Sequence, residues 1–290
     1  MNELTIPANL AEAAEQEGRQ PWLDTLPATI AELSRRWRLQ VGEPFQPGGA
    51  TAWTAPALAA DGQHLAIKLE WPHLEATHEP DALRLWAGRG AVFLLAAEDL
   101  GHTLALLVEL CRPGVALSGL PEPDQDLVIA RLLRRLWIDP PQNHPFRPLE
   151  EMCNRWADEF ETKAAGRNPP ADPGLARTAM ELFRHLPTTS TRTAVLSTDL
   201  HAGNVLAAER EPWLAIDPKP HIGDPTYDVL QHMLNCPARL RTDPVKLTNR
   251  IAHLAGLEPE RTRLWLFARC VQEAPDWPPL ADVARLIAPP

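Results

Sequence analysis

Val195-Leu196-Ser197-Thr198-Asp199-Leu200-His201-Ala202-Gly203-Asn204-Val205-Leu206, followed by Trp213-Leu214-Ala215-Ile216-Asp217-Pro218, is the stretch on which the fold turns. Asp199 and Asn204 stand five residues apart in a loop between β-like runs, and Asp217 ends the next such run. Kinase-type phosphoryl transfer needs such a trio. One carboxylate orients the attacking hydroxyl and accepts its proton, while an amide and a second carboxylate hold magnesium. Oxygen-only ligands suit Mg²⁺, which keeps waters and bridges phosphates. Each residue alone would equally serve a turn or a strand end, which Asp and Asn favour; the three together, across one hairpin, favour the chemical reading.

Working outward, Leu65-Ala66-Ile67-Lys68-Leu69 is an apolar strand after the hairpin signal Asp61-Gly62. Its lysine resembles the V-A-I-K lysine that pairs with nucleotide phosphates. Only four of the 28 basic residues are lysines, at 68, 163, 219 and 246. Where the chain needs a cation it normally uses arginine, so a lysine in an apolar strand points to a need for the compact ammonium. The competing reading is an edge-strand lysine that deters aggregation. A glutamate on the following helix would hold the ammonium, with Glu79 the candidate and Glu75 the reserve. Gly48-Gly49 stands ahead of Lys68, where a phosphate-covering loop belongs, although the full G-x-G-x-x-G is absent.

The 290 residues, 44% hydrophobic and 23% charged, are enough for one large domain or two lobes. Helices are expected over 8–17 and 28–38. Strands over 51–58 and 64–69, a helix over 79–88, and strands over 91–96 and 103–110 follow. Beyond Arg112-Pro113-Gly114 the chain reads as mainly helical, with a β interlude over 194–216. The longest apolar run, 91–97, falls well short of the roughly 18 residues of a membrane span. The N-terminus lacks a basic stretch followed by an apolar one, so a cytoplasmic location is expected. Four scattered cysteines with no C-x-x-C indicate neither disulfides nor zinc. The net charge of −10 argues against nucleic acid and anionic membrane as partners and suits a cationic small molecule.

The sequence also resembles the aminoglycoside/hydroxyurea antibiotic resistance kinases, the streptomycin phosphotransferase branch of the aminoglycoside phosphotransferase superfamily. Matching stretches include Trp71-Pro72-His73, Ala82 to Trp86, Gly88 to Val92, Arg131 to Trp137 and His144 to Pro148. The most specific are Asp199 to Leu206 and Glu211 to Pro220 with Gly223-Asp224-Pro225. The resemblance implies an α+β, two-lobed protein-kinase-like fold. An N-terminal nucleotide-binding lobe over 1–112, with a helical extension over 1–40, would precede a catalytic and acceptor-binding lobe over 113–290. It implies ATP and Mg²⁺, with phosphorylation of a hydroxyl on an aminoglycoside such as streptomycin or on a related compound. Asp199 would be the base, Asn204 and Asp217 the magnesium ligands, and Lys68 the phosphate clamp. Backbone around Glu109 to Cys111 would grip adenine.

The superfamily usually carries His-Gly before the catalytic aspartate, where this chain has Ser197-Thr198. That departure leaves a nucleotide-binding pseudokinase as an alternative, beside a kinase of amino sugars, nucleosides or hydroxyurea. Only six residues separate Asp217 from Asp224, and no A-P-E closes an activation segment, so a small acceptor is favoured over a protein. Asp224, Asp228, Glu273 and Asp276 are candidates to meet a cationic acceptor.

Overall fold

The computed structural model describes residues 4–165 and 172–290. The chain divides into two compact units, Met1–Gly114 and Val115–Pro290.

The first unit is a five-stranded antiparallel sheet with helices ahead of it. β1 (Leu39–Val41), β2 (Ala52–Ala59), β3 (His64–Glu70), β4 (Leu94–Asp99) and β5 (Leu104–Glu109) pair in the order β1-β2-β3-β5-β4. The sheet turns one face to α1 (Ala8–Gln16), α2 (Gln20–Leu23) and α3 (Leu26–Arg36). Trp53, Ala55 and Ala57 of β2, Leu65, Ile67 and Leu69 of β3, and Ala105 and Leu107 of β5 share a buried core with Leu10, Trp22, Leu26 and Leu33. Alternate residues of a strand point to opposite faces. Lys68 and Glu70 therefore lie on the sheet face away from α1–α3, where α4 (Glu79–Trp86) brings Glu79 to Lys68. The expected strand over 91–96 begins later, at Leu94, because ladder pairing with β5 rather than apolarity sets its start, and the register shifts between Leu94 and Ala96. Strand β1 and helix α2 were not expected.

The second unit is mainly helical: α5 (Glu122–Leu136), α6 (Leu149–Ala165), α7 (Pro173–His185), α8 (Leu230–Leu234), α9 (Pro237–Thr242), α10 (Pro244–Ala255), α11 (Pro259–Glu273) and α12 (Leu280–Ile287). Its small strands are β6 (Arg147–Pro148), β7 (Ala194–Leu196), β8 (Val205–Ala207), β9 (Trp213–Ala215) and β10 (His221–Gly223). They form a β6-β10-β7 sheet and a β8-β9 hairpin. Helix α11 runs through the core, with Trp265 to Val271 buried, and Trp265 meets Phe183 and Tyr227 edge-on at 5.9 and 5.1 Å. Many prolines occupy first helical turns, as in α2–α5, α7 and α9–α11, where the missing N–H costs nothing.

Asp126 ties α5 to α8, α9 and α10. It meets His232 Nε2 at 2.9 Å and accepts from both Arg239 terminal nitrogens at 2.8 and 3.0 Å and from Arg250 Nε at 2.6 Å. Burial works to raise its carboxyl, but hydrogen bonds from His232, Arg239 and Arg250 outweigh it and hold it far below the carboxylate range. Cys236 lies beside this cluster, its thiol pushed by burial up to about 12. Asp126, committed to these donors, is a structural hub that joins the four helices. None of the four cysteines forms a disulfide. Among the described residues no helix is long and apolar enough to cross a membrane.

Candidate active site

In the first unit, the β2-β3 hairpin aligns Thr54 opposite Lys68. Lys68 Nζ donates to Glu79 Oε2 at 2.5 Å and stands 3.1 Å from Glu70 Oε2. All three groups are nearly out of solvent, with side-chain exposures of 11% for Lys68, 3% for Glu79 and 0% for Glu70. A buried ammonium needs its partners close, since a lone charge there would be several kcal/mol too costly. Glu79 can reach because it opens α4, whose N-terminal turn favours acids. Glu70 escaped sequence reading: an acid two residues beyond a strand lysine looks like solvent-facing polarity until the burial is seen.

The Gly48-Gly49 pair lies in the loop ahead of β2, with Gly48 in the left-handed region at φ +78°. Glu109 ends β5. Its amide donates to Phe93 O at 2.8 Å, and its carboxylate accepts from Phe93 N at 3.0 Å. Cys111 is buried just beyond it.

In the second unit, β7 enters and β8 leaves the loop carrying Asp199. Leu200 and Ala202 are buried and pin the loop from below, leaving Asp199, His201 and Asn204 half-buried. Asn204 Nδ2 donates to Asp199 O at 3.1 Å and lies 3.4 Å from Asp199 Oδ2. The β8-β9 hairpin then pairs Val205 with Ala215, and Ile216 N donates to Asn204 O at 2.9 Å, which brings Asp217 back beside the loop. Asp217 adopts φ +52°, a left-handed conformation that aspartate tolerates better than most residues. Lys219 Nζ donates to Asp217 Oδ1 at 2.8 Å and its main-chain N–H to Ser197 O at 2.9 Å. The second conspicuous lysine thus serves Asp217.

His201 braces the loop. Its Nδ1 accepts from Gly203 N at 3.0 Å, and a Cβ at Gly203 would fall 2.8 Å from His201 Cε1. Burial pushes the imidazole below its usual range, against the pull of Asp217.

The replacement of His-Gly by Ser197-Thr198 has a local explanation. Thr198 sits at φ +53°, where a β-branched residue is strained. The strain is offset by Thr198 Oγ1 donating to Lys219 O. Asp228 fixes the same turn from within the core. Its carboxylate accepts from Thr198 N at 2.6 Å, Ser197 N at 3.0 Å and Trp137 Nε1 at 2.9 Å.

Two of the four expected acceptor contacts are therefore corrected. Asp228 is fully buried beneath the loop, and its carboxylate is spent on these three donors. Asp224 is 2% exposed and accepts from Trp265 Nε1 and Arg261 Nε, each at 2.7 Å, and from Thr226 N at 2.9 Å. Neither carboxylate is open to an acceptor, because the 3-10 turn Pro225–Val229 feeds both into the core. Glu273 pairs with Arg269, whose guanidinium covers the Trp156 ring at 4.3 Å, and exposed Asp276 accepts from Lys163 at 2.6 Å.

The family model for aminoglycoside/hydroxyurea antibiotic resistance kinases matches residues 36–278. A hydroxyurea phosphotransferase of Kitasatospora aureofaciens is 39% identical over 92% of this chain and 78% of its own length. A streptomycin 6-kinase of Streptomyces glaucescens is 32% identical over 93% and 88%. The macrolide 2'-phosphotransferase structure from Brachybacterium faecium superposes with a TM-score of 0.57 at 14% identity, covering 92% of this chain and 99% of that one, and so shares the two-lobed kinase-like fold. The chain belongs to the aminoglycoside/hydroxyurea antibiotic resistance kinase family, whose members use ATP.

Proposed function

We propose that this kinase transfers the γ-phosphate of ATP to a hydroxyl of an aminoglycoside such as streptomycin. The observation that carries the reading is the Asp199–Asn204 loop: the amide nitrogen of Asn204 is committed to Asp199, and the hairpin returns Asp217 to the same place. Asp199 orients the acceptor hydroxyl and takes its proton as the oxygen attacks phosphorus. Asn204 and Asp217 hold magnesium. Their donors fit the ion, since both offer hard oxygens and the Asn204 nitrogen is engaged by Asp199, which leaves the amide oxygen as the ligand atom. Bound Mg²⁺ supplies neutralisation of phosphate charge. Lys68, oriented by Glu79, grips the phosphates, the Gly48-Gly49 loop covers them, and backbone from Glu109 to Cys111 receives adenine.

In this reading residues 1–112 bind nucleotide and residues 113–290 carry the catalytic loop and acceptor contacts, Glu273 and Asp276 facing a cationic acceptor. Consumption of ATP suits a cytoplasmic enzyme. A second reading, hydroxyurea as the acceptor, is favoured by the 39% identity to a hydroxyurea phosphotransferase; it needs the same loop and differs only in what meets Asp199. The test is purified protein with Mg-ATP and, separately, streptomycin, other aminoglycosides, amino sugars, nucleosides and hydroxyurea, followed by ADP release and product mass. Phosphorylated streptomycin supports the first reading and phosphorylated hydroxyurea alone the second. Nucleotide binding without transfer to any acceptor would leave a pseudokinase regulator.

A further inference from the structure

The family match begins at residue 36, yet the helices ahead of it do more than cover the sheet. Apolar packing of Leu10, Trp22, Leu26 and Leu33 against β2 and β3 would suffice for that. The same segment also reaches the end of the sheet and holds the 47–53 loop from behind. Asn9 donates through its backbone to Pro47 O at 3.3 Å and through Nδ2 to Gly48 O at 3.0 Å. Arg19 donates to Ala50 O at 3.0 Å, and Trp53 Nε1 donates to Thr5 O at 3.0 Å. The loop sits so close that a Cβ on Gly48 would lie 2.4 Å from Pro7 Cβ.

Arg19 is the telling residue. Its side chain is 3% exposed, Nε and the second terminal nitrogen find no hydrogen-bond acceptor, and Glu17 Oε2 lies 3.1 Å from Nε. A buried guanidinium with one good acceptor is a poor way to stabilise a core, where an apolar residue of similar volume does as well or better. What Arg19 does achieve is direction. In a planar trans peptide the C=O and the following N–H point opposite ways. Drawing the carbonyls of Pro47, Gly48 and Ala50 toward the extension therefore turns the N–H groups of Gly48, Gly49 and Thr51 away from it. Successive backbone donors presented on one side of a turn with a left-handed residue make an anion-binding concavity.

We propose that the N-terminal extension is a built-in support that presets the 47–53 loop for nucleotide phosphates, with Arg19 and Asn9 as positioning residues that set ATP affinity. The proposal rests on the reading of this loop as the phosphate cover. A loop already held in its binding conformation spares the ligand the cost of selecting it, so loosening it raises the apparent dissociation constant by the lost population.

The test uses full-length Arg19→Met and Asn9→Ala, with Arg19→Lys as the conservative partner. Amide hydrogen exchange over 47–53 without nucleotide, Mg-ATP binding by calorimetry, thermal midpoint, and KM for ATP against kcat are measured. Arg19→Met and Asn9→Ala are each expected to speed exchange in the loop and to raise Kd and KM for ATP roughly 3- to 10-fold, the scale of one lost hydrogen bond. The kcat at saturating ATP stays within about 2-fold, as expected when preorganisation rather than chemistry is lost. Arg19→Lys recovers part of the affinity, and Arg19→Met does not lower the thermal midpoint. Unchanged loop exchange in both variants overturns the support. A lower midpoint with faster exchange throughout the unit also overturns it, since Arg19 would then be merely structural. Faster loop exchange with unaltered ATP affinity keeps the tether and sinks the assignment of this loop to nucleotide. Asn9 is exposed, so its variant decides the matter even if Arg19→Met fails to fold.

Discussion

Replacing Asp228 with asparagine should separate stability from activity. The carboxylate is fully buried, and that burial pushes its pKa from 3.8 up to about 6, even though Ser197 N, Trp137 Nε1 and Thr198 N favour the charged form. Ionised Asp228 therefore costs folding about 3 kcal/mol at neutral pH, at 1.36 kcal/mol per pKa unit. Asparagine removes that cost. Its single side-chain oxygen cannot serve all three donors, however, and its NH₂ faces the Thr198 or Ser197 N–H, leaving a buried donor unpaired at about 1–3 kcal/mol. The two effects nearly cancel, so Asp228→Asn should lie within about 2 kcal/mol of the parent at pH 7. Activity should not survive as well, because the Thr198 peptide leads directly into Asp199: kcat is expected to fall at least about 10-fold, the scale of a misplaced catalytic group.

The sign of the pH dependence follows from the raised pKa. Between about 4 and 6 the folded protein binds the proton more tightly than the unfolded chain, so this group's contribution to stability falls as pH rises through that window. The variant has no such group. Its stability relative to the parent should thus improve by about 2 kcal/mol from pH 4 to pH 7. Urea unfolding of both proteins across that range reads the difference. A loss above about 4 kcal/mol at pH 7 with a pH-independent gap would refute the reasoning, since Asp228 would then be a net stabiliser.

Asp224→Ala strands the buried Trp265 N–H and the Arg261 guanidinium, and is expected to destabilise by about 3–5 kcal/mol, measured by urea unfolding. Thr198→Gly removes a left-handed strain of about 1–2 kcal/mol and a hydroxyl bond to Lys219 O of similar worth, so its urea midpoint should stay close to the parent's. Lys68→Met should lower kcat/KM about 10²- to 10³-fold, and Lys68→Arg should fail to restore it, because a planar fork does not fit between Glu70 and Glu79; steady-state kinetics decide.

Local signals carried much of this architecture. The Asp61-Gly62 turn and the apolar run after it announced the hairpin that holds Lys68, and an acid at a helix start announced Glu79. Asp199, Asn204 and Asp217 were legible because one short hairpin brings them together. Asp224 and Asp228 were misjudged because nothing local distinguishes a solvated acid from a buried one. Their partners Trp265 and Trp137 lie 41 and 91 residues away, and only tertiary packing supplies them. Strand β1, three residues long, is created by pairing with β2 rather than by any pattern of its own. Gly48 resembled half a phosphate motif, but its conformation answers first to Pro7, a contact 41 positions upstream in the chain that spacing could not reveal.

Asp199 is the residue on which the account depends, and Asp199→Asn with Mg-ATP and streptomycin, and in parallel hydroxyurea, tests it most directly. The parent should phosphorylate an acceptor, and the variant should keep its fold and its ATP affinity while transfer drops by at least about 10²-fold, the low end of general-base contributions. Transfer by the variant at the parent's rate would contradict it.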